Sequence, residues 1–89
     1  MKNLKTILES SSEVKNRKLK QLLAKEGLDK IMLCKDYGYF YITSNDDKWA
    51  EKLAGMYENA IYMNSFNQMT PEEWVEEIKR LLKQNDIEY

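Results

Sequence analysis

The sequence predicts an α+β domain whose elements follow the order α-β-β-α-β-α. Segments with apolar residues at helical spacing alternate with short runs rich in aromatic and β-branched residues. The first two of those runs flank a turn sequence, which indicates a β-hairpin. The chain has 89 residues, of which 43% are apolar and 33% charged, and this is the composition of one folded domain. We therefore expect a single domain over residues 1–89.

The first helix is predicted from apolar spacing and ends at a glycine. Its apolar positions are Leu19, Leu22 and Leu23. Ser10 and Glu13 fit a capping box, so we expect the helix to begin there and residues 3–9 to form a separate short turn. Gly27 can adopt the left-handed conformation that ends a helix, and Leu28 supplies the usual apolar contact after it.

Two strands and a turn follow the first helix. Residues 31–34 form a short apolar run, residues 39–43 are rich in strand-forming side chains, and residues 36–38 have the composition of a tight turn. Residues 60–65 alternate moderately well and predict a third strand. We expect a three-stranded antiparallel sheet of order 2-1-3, a split β-α-β arrangement with the helices on one face.

Two further helices are predicted after the hairpin. One begins at the candidate caps in residues 44–47 and runs to about Tyr57, and its inner side is formed by Trp49, Ala50, Leu53 and Ala54. The other begins with an N-cap, a first-turn proline and a capping-box glutamate, which are Thr70, Pro71 and Glu73. Met69 and Trp74 occupy the two positions of a hydrophobic staple. This helix is expected to continue to about residue 84.

The charged residues are segregated along the chain. Residues 1–35 hold nine Lys or Arg and four Asp or Glu, whereas residues 36–89 hold five and eleven, within a net charge of −1. Two halves of opposite charge favour a charged partner, a nucleic acid or self-association. Lys outnumbers Arg twelve to two, which is typical of an AT-rich bacterial or phage genome.

The residue types that most enzymes use for catalysis are missing from the sequence. The chain has no histidine, and its three glycines are too far apart for a phosphate-binding loop. The single cysteine, Cys34, falls in an apolar strand and is expected to be buried. No spacing singles out a metal site among the carboxylates, which include Glu72, Glu76, Asp46, Asp47 and Glu51. We therefore expect no enzyme, no cofactor and no metal.

The aromatic residues of the second strand are the first candidate contact surface. Because side chains alternate along a strand, Phe40 and Ile42 are expected to face the helices. Tyr39 and Tyr41 then lie on the opposite side, together with Tyr62. Such a group can anchor a protein partner or stack nucleobases, and the ordinary alternative is that tyrosines simply favour strands. The strand has no Lys or Arg, which favours a protein over RNA.

An acidic group at the start of the last helix is the second candidate surface for a protein partner. It comprises Glu72, Glu73, Glu76 and Glu77. Acidic residues in a first turn also complement the helix dipole, and Glu76 can pair with Lys79 or Arg80 at helical spacing. A purely structural role therefore explains much of this cluster.

A basic group near the first helix supports an alternative function. It comprises Lys15, Arg17, Lys18, Lys20 and Lys25. Neutralised phosphates dominate nucleic-acid affinity, so a nucleic-acid-binding accessory protein is one alternative. Ordinary solvation also explains the lysines, and a pI of 5.5 argues against a dedicated DNA-binding protein. A homo-oligomeric structural protein is the other alternative, with the basic helix of one copy against the acidic half of another.

The sequence contains no signal for a membrane. No apolar run reaches 18 residues, and Lys5 and Glu9 interrupt the apolar residues near the N-terminus. We expect a cytoplasmic protein that does not contact a membrane. The function that these observations favour is a small non-enzymatic interaction or regulatory protein, from a phage or other mobile element, that binds a protein partner.

Overall fold

The computed structural model describes residues 12–88 as one short strand, one hairpin, three α-helices and a 3-10 turn. In chain order the elements are β1 (Ser12–Glu13), α1 (Arg17–Lys25), β2 (Ile31–Asp36), β3 (Tyr39–Ser44), α2 (Asp47–Ala54), the 3-10 helix Phe66–Gln68 and α3 (Pro71–Gln84). The α+β class is confirmed. No helix in this part of the chain is both long enough and apolar enough to cross a membrane.

The predicted hairpin is confirmed. β2 and β3 pair antiparallel, with Cys34 opposite Tyr41 and Asp36 opposite Tyr39. Gly38 has a φ angle of 76°, a left-handed conformation that glycine adopts without steric cost, and it forms the tight turn together with Tyr37.

The predicted three-stranded sheet of order 2-1-3 is wrong. Residues 60–65 were expected to form a strand beside β2, but they form no strand. A single antiparallel bridge instead joins Ile61 to Phe40 of β3, on the other side of the hairpin. The other edge of the hairpin is lined by β1, which has only two residues and pairs antiparallel with β2. The sheet is therefore essentially the two-stranded hairpin, and no split β-α-β unit forms.

The segment after α2 remains irregular because side-chain amides, rather than a strand, bind its backbone. The Asn59 side chain accepts a hydrogen bond from Ile42 N at 2.9 Å and donates one to Ile42 O at 2.7 Å. Gln68 Oε1 accepts hydrogen bonds from the N–H groups of Asn64 and Ser65. Backbone groups that a strand would need are therefore bonded locally.

The first helix begins later than its capping box predicted. Asn16 is the N-cap and accepts a hydrogen bond from Leu19 N at 2.9 Å, whereas Glu13 belongs to β1. Ser10 and the turn expected at residues 3–9 lie outside the described residues. The predicted end is confirmed, because Gly27 has a φ angle of 75° and Leu28 N donates to Leu23 O.

The start of α3 is confirmed in detail. Thr70 Oγ1 accepts a hydrogen bond from Glu73 N, and the Glu73 carboxylate accepts one from Thr70 N. The end of this helix has the geometry that glycine usually provides, although Asp86 occupies the position and has a φ angle of 58°. Helix α2 is capped by Asp46, one of the predicted candidates, but it ends at Ala54 and not at about Tyr57.

One hydrophobic core joins the hairpin to all three helices. Phe40 and Ile42 of β3 are buried, as predicted, and Trp74 of α3 lies between Phe40 and Phe66. The buried cluster is formed by Leu19, Leu23, Leu28, Ile31, Leu33, Phe40, Ile42, Leu53, Ile61, Trp74, Val75, Ile78, Leu81 and Leu82. The helices therefore pack on one face of the hairpin, and the face that carries Tyr39 and Tyr41 lies opposite.

Candidate interaction surfaces

The tyrosine face, defined by Tyr39, Tyr41 and Tyr62, lies on the side of the hairpin away from the core. The strand alternation places Tyr39 and Tyr41 there, and the Ile61–Phe40 bridge places Tyr62 beside Tyr39. The ring centroids of Tyr39 and Tyr41 are 6.1 Å apart, and those of Tyr39 and Tyr62 are 6.2 Å apart. The structure therefore brings the three predicted tyrosines together.

The exposure of these rings decreases from Tyr62 towards the centre of the face. The side chain of Tyr62 is 77% exposed, whereas Tyr39 and Tyr41 are half-buried. Tyr37, at the tip of the hairpin, is 87% exposed. Large aromatic surface exposed to water is typical of contact sites, because burying it on a partner is favourable.

Two acidic side chains lie on the tyrosine side of the hairpin, and one of them, Glu13, pairs with Lys20 of α1 at 3.7 Å. Asp36 and Glu13 lie on this side of the hairpin, because Asp36 is opposite Tyr39 and Glu13 is opposite Cys34. Tyr39 Oη donates a 3.0 Å hydrogen bond to Asp36 Oδ2. This hydrogen bond is the main reason why the pKa of the Tyr39 hydroxyl is raised above 10.0, with smaller effects from desolvation and from the Asp36 charge.

Cys34 is buried, as predicted, but it lies beneath the tyrosine face rather than in the core cluster. Its side chain is 5% exposed, and its strand neighbours on this side are Glu13 and Tyr41. Burial raises the pKa of the Cys34 thiol, the hydrogen bond with Tyr41 opposes that shift, and the Glu13 charge adds to it. A thiol in this environment remains protonated and is a poor nucleophile at neutral pH.

Both edges of the hairpin are occupied. On the β3 edge, Phe40 exchanges two 2.8 Å backbone hydrogen bonds with Ile61, and Ile42 is bonded to the Asn59 amide. On the β2 edge, Val14 N donates to Leu33 O at 2.7 Å, next to the β1 pairing. A partner that adds a strand to a sheet needs unpaired backbone groups at an edge, so these contacts disfavour that mode of binding.

The acidic group lies on α3, which packs against the opposite face of the hairpin. Three of its four members have structural partners. Glu73 belongs to the capping box, Glu76 pairs with Lys79 at 3.4 Å, and Glu77 pairs with Arg80 at 2.9 Å. The acidic group and the tyrosine face therefore do not form one continuous surface.

The basic group lies on the exposed side of α1 and just before it. All five predicted residues are exposed, and only Lys20 has an acidic partner among the described residues, Glu13 at 3.7 Å. The two charged halves meet where Lys79 of α3 pairs with Glu26 at the end of α1, at 3.2 Å. The basic group itself remains a separate surface.

The described residues hold no group of three or more His, Cys, Asp and Glu placed to bind a metal ion. A surface depression of about 530 Å³ lies between α1, β2 and the start of α2. Its charged side chains are of both signs and include Glu13, Lys20, Asp29, Lys30 and Asp46. Asp46 caps α2 and Glu13 pairs with Lys20, so two of these carboxylates have structural roles.

Two features of these surfaces were not predicted from the sequence. Asn59, which closes the β3 edge, is 17 positions from Ile42, and no local pattern connects the two residues. Tyr37 lies in the turn, as predicted, but the sequence did not predict that its side chain is 87% exposed. No protein-family model, curated protein or solved structure matches this chain.

Proposed function

We propose that this chain is a small interaction domain that binds a protein partner through the tyrosine face. The observation that carries the proposal is the group of three tyrosines on the hairpin face away from the helices, with Tyr62 77% exposed. Tyrosine is enriched at protein interfaces because it offers a large apolar ring and a polar hydroxyl with few rotatable bonds.

The charge of this surface supports a partner that carries arginine or lysine among apolar residues. Asp36 and Glu13 are the charged side chains that the described hairpin and β1 place on this side, and Glu13 is shared with Lys20 of α1 at 3.7 Å. Guanidinium and ammonium groups are attracted both to carboxylates and to the faces of tyrosine rings. A nucleic acid is disfavoured here, because these two carboxylates would repel its phosphates.

The closed hairpin edges support recognition through the face rather than by strand addition. The partner would contact side chains of the tyrosine face and the hairpin tip at Tyr37. We expect Tyr39 and Tyr62 to contribute most, because Tyr39 lies between the other two rings and Tyr62 exposes the largest aromatic surface of the three.

The experiment compares capture of partners by three forms of the immobilised protein. The first is the native chain, the second is Tyr39→Ala with Tyr62→Ala, and the third is Tyr57→Ala. Tyr57 is a matched control, because it is 99% exposed and lies after α2, where its backbone is bonded to Asn85 at the end of α3. A protein captured from the source cells is then purified, and its dissociation constant is measured for each form.

We expect the double variant to bind at least about 30-fold more weakly and the Tyr57 variant to bind like the native chain. Equal affinity of all three forms would rule out the tyrosine face. Light scattering at 0.05 M and 0.5 M salt tests the oligomeric alternative. A dimer that the double variant dissociates would mean that a second copy, not another protein, occupies this face.

A further inference from the structure

The exposed side of α1 carries an arrangement of charge that folding does not explain. Arg17 and Lys18 lie in the first turn of the helix, which contains no acidic residue. The positive end of the helix dipole is at this terminus, so cations here are unfavourable. Helix α3 shows the usual distribution, with Glu72 and Glu73 in its first turn and Lys83 in its last.

Most of these cations have no partner within the described chain. No ion pair or hydrogen bond with residues 12–88 involves the side chains of Lys15, Arg17, Lys18 or Lys25. A second copy of the chain is a poor partner for them. In the acidic group of such a copy, three of the four glutamates are already used within α3, as a cap or in ion pairs.

Three lysines of α1 flank a ridge that is basic at its N-terminal end and uncharged beyond it. Arg17, Gln21 and Ala24 follow one another along the most exposed line of the helix, at the spacing that keeps residues on one side. Lys18 and Lys25, seven positions apart, lie together on one flank of that line. Lys20 lies on the other flank, and Lys15 precedes the helix on that side, next to Asn16 and Gln21 in a shallow depression.

We propose that α1 binds double-stranded DNA, with the ridge in the major groove and the flanking lysines on the two phosphate backbones. The major groove of B-DNA is wide enough to admit an α-helix, and cations on both flanks can then meet phosphates on both strands. This function is additional to protein binding, because α1 and the tyrosine face lie on opposite sides of the hairpin.

An anionic membrane fits this surface less well than DNA. A helix that lies on a membrane inserts apolar side chains between its basic residues. The apolar residues of α1 are instead committed to the core, where Leu19 and Leu23 are buried. The absence of aromatic residues from Arg17–Lys25 also disfavours single strands, which are bound largely by base stacking.

The experiment measures fluorescence anisotropy of a labelled 20-base-pair DNA duplex of mixed sequence at several salt concentrations. If four cations contact phosphates, log K falls with log salt at a slope of about −3.6, so the affinity decreases about 150-fold between 50 and 200 mM salt. At 50 mM salt we expect a Kd of about 1–10 μM.

A pair of variants with equal change in net charge separates a specific surface from general attraction. Lys18→Gln with Lys25→Gln removes two flank cations. The slope of log K against log salt should then change from about −3.6 to about −1.8, so the affinity should decrease only about 12-fold between 50 and 200 mM salt. Lys48→Gln with Lys83→Gln removes two exposed lysines of α2 and α3 and should leave the slope unchanged.

Three results would overturn the proposal. The first is the lack of any binding to the duplex at 50 mM salt, and the second is an equal loss of slope in both double variants. The third is binding of the matching 20-base single strand, or of vesicles with 30% phosphatidylglycerol, as tightly as the duplex. These measurements use no Tyr39 or Tyr62 variant. A negative result would therefore overturn DNA binding by α1 and would say nothing about protein binding by the tyrosine face, so the two proposals are distinguishable.

Discussion

Replacing Asn59 with alanine should destabilise the protein by removing the side chain that closes the β3 edge. The carboxamide accepts one hydrogen bond from Ile42 N at 2.9 Å and donates another to Ile42 O at 2.7 Å. Both backbone atoms lie in a half-buried environment beside the core. Each such bond contributes about 0.5–1.5 kcal/mol net, so we expect a loss of about 1–3 kcal/mol in the free energy of unfolding.

Urea unfolding followed by tryptophan fluorescence measures this loss, because Trp74 is fully buried in the native state. With a slope of roughly 1 kcal/mol per molar urea for a chain of this size, the midpoint should fall by about 1–3 M. The thermal midpoint should fall by at least about 4 °C.

Asn64→Ala is the matched control, because the Asn64 side chain is exposed and forms no hydrogen bond with the described residues. Its effect should stay within about 0.5 kcal/mol. Asn59→Asp adds a test of the mechanism. A carboxylate can accept from Ile42 N but cannot donate to Ile42 O, so this variant should recover stability relative to the native chain when acid protonates it. Equal stability of Asn59→Ala and Asn64→Ala would refute the reasoning.

Three further predictions concern other parts of the structure. Asp86→Gly should raise the free energy of unfolding by about 0.5–1 kcal/mol in urea titrations, because glycine adopts the left-handed conformation more easily, and Asp86→Ala should lower it. Asp36→Asn should lower the pKa of Tyr39, measured by ¹³C NMR of its ring. In the native chain this contact stabilises the fold below pH 10.0, and that contribution is lost as the pH rises through the raised pKa. The native Cys34 thiol should react with a disulfide reagent at pH 8 at least about 100-fold more slowly than in the urea-unfolded chain, and comparable rates would contradict its burial.

The features that could be predicted from the sequence are those encoded by neighbouring residues. The start of α3 depends on Thr70, Pro71 and Glu73, which lie within four positions of one another. The hairpin turn at Gly38 and the end of α1 at Gly27 depend equally on local backbone preferences. The alternation in β3 also predicted correctly that Phe40 is buried. Each of these signals requires only the pattern of a few adjacent side chains.

The errors arose where distant residues decide the outcome. Residues 60–65 alternate like a strand, but the side-chain amide of Asn59 bonds the backbone of Ile42. Of residues 60–65, only Ile61 pairs with the hairpin backbone. Similarly, Glu13 was predicted to belong to the capping box of the first helix, but it pairs in β1 with Cys34, 21 positions away. Asn16 caps α1 instead. The tyrosine face was predictable for Tyr39 and Tyr41 from alternation. The position of Tyr62 beside them depends on the single bridge at Ile61.

Because both edges of the hairpin are closed, the two proposed surfaces bind through exposed side chains and not by adding a strand to the sheet. A small domain with a two-stranded sheet exposes two edges to aggregation, and here side chains and short backbone segments bond both of them. The core then fills one face of the hairpin and fixes α1 beyond it, so the basic side of α1 points away from the tyrosine face. An aromatic, acidic surface and a basic surface therefore lie on opposite sides of one core. The two proposed surfaces meet where Glu13, on the tyrosine side, pairs with Lys20 of α1 at 3.7 Å, so we expect a protein partner and a DNA duplex to interfere with each other, if at all, at this ion pair.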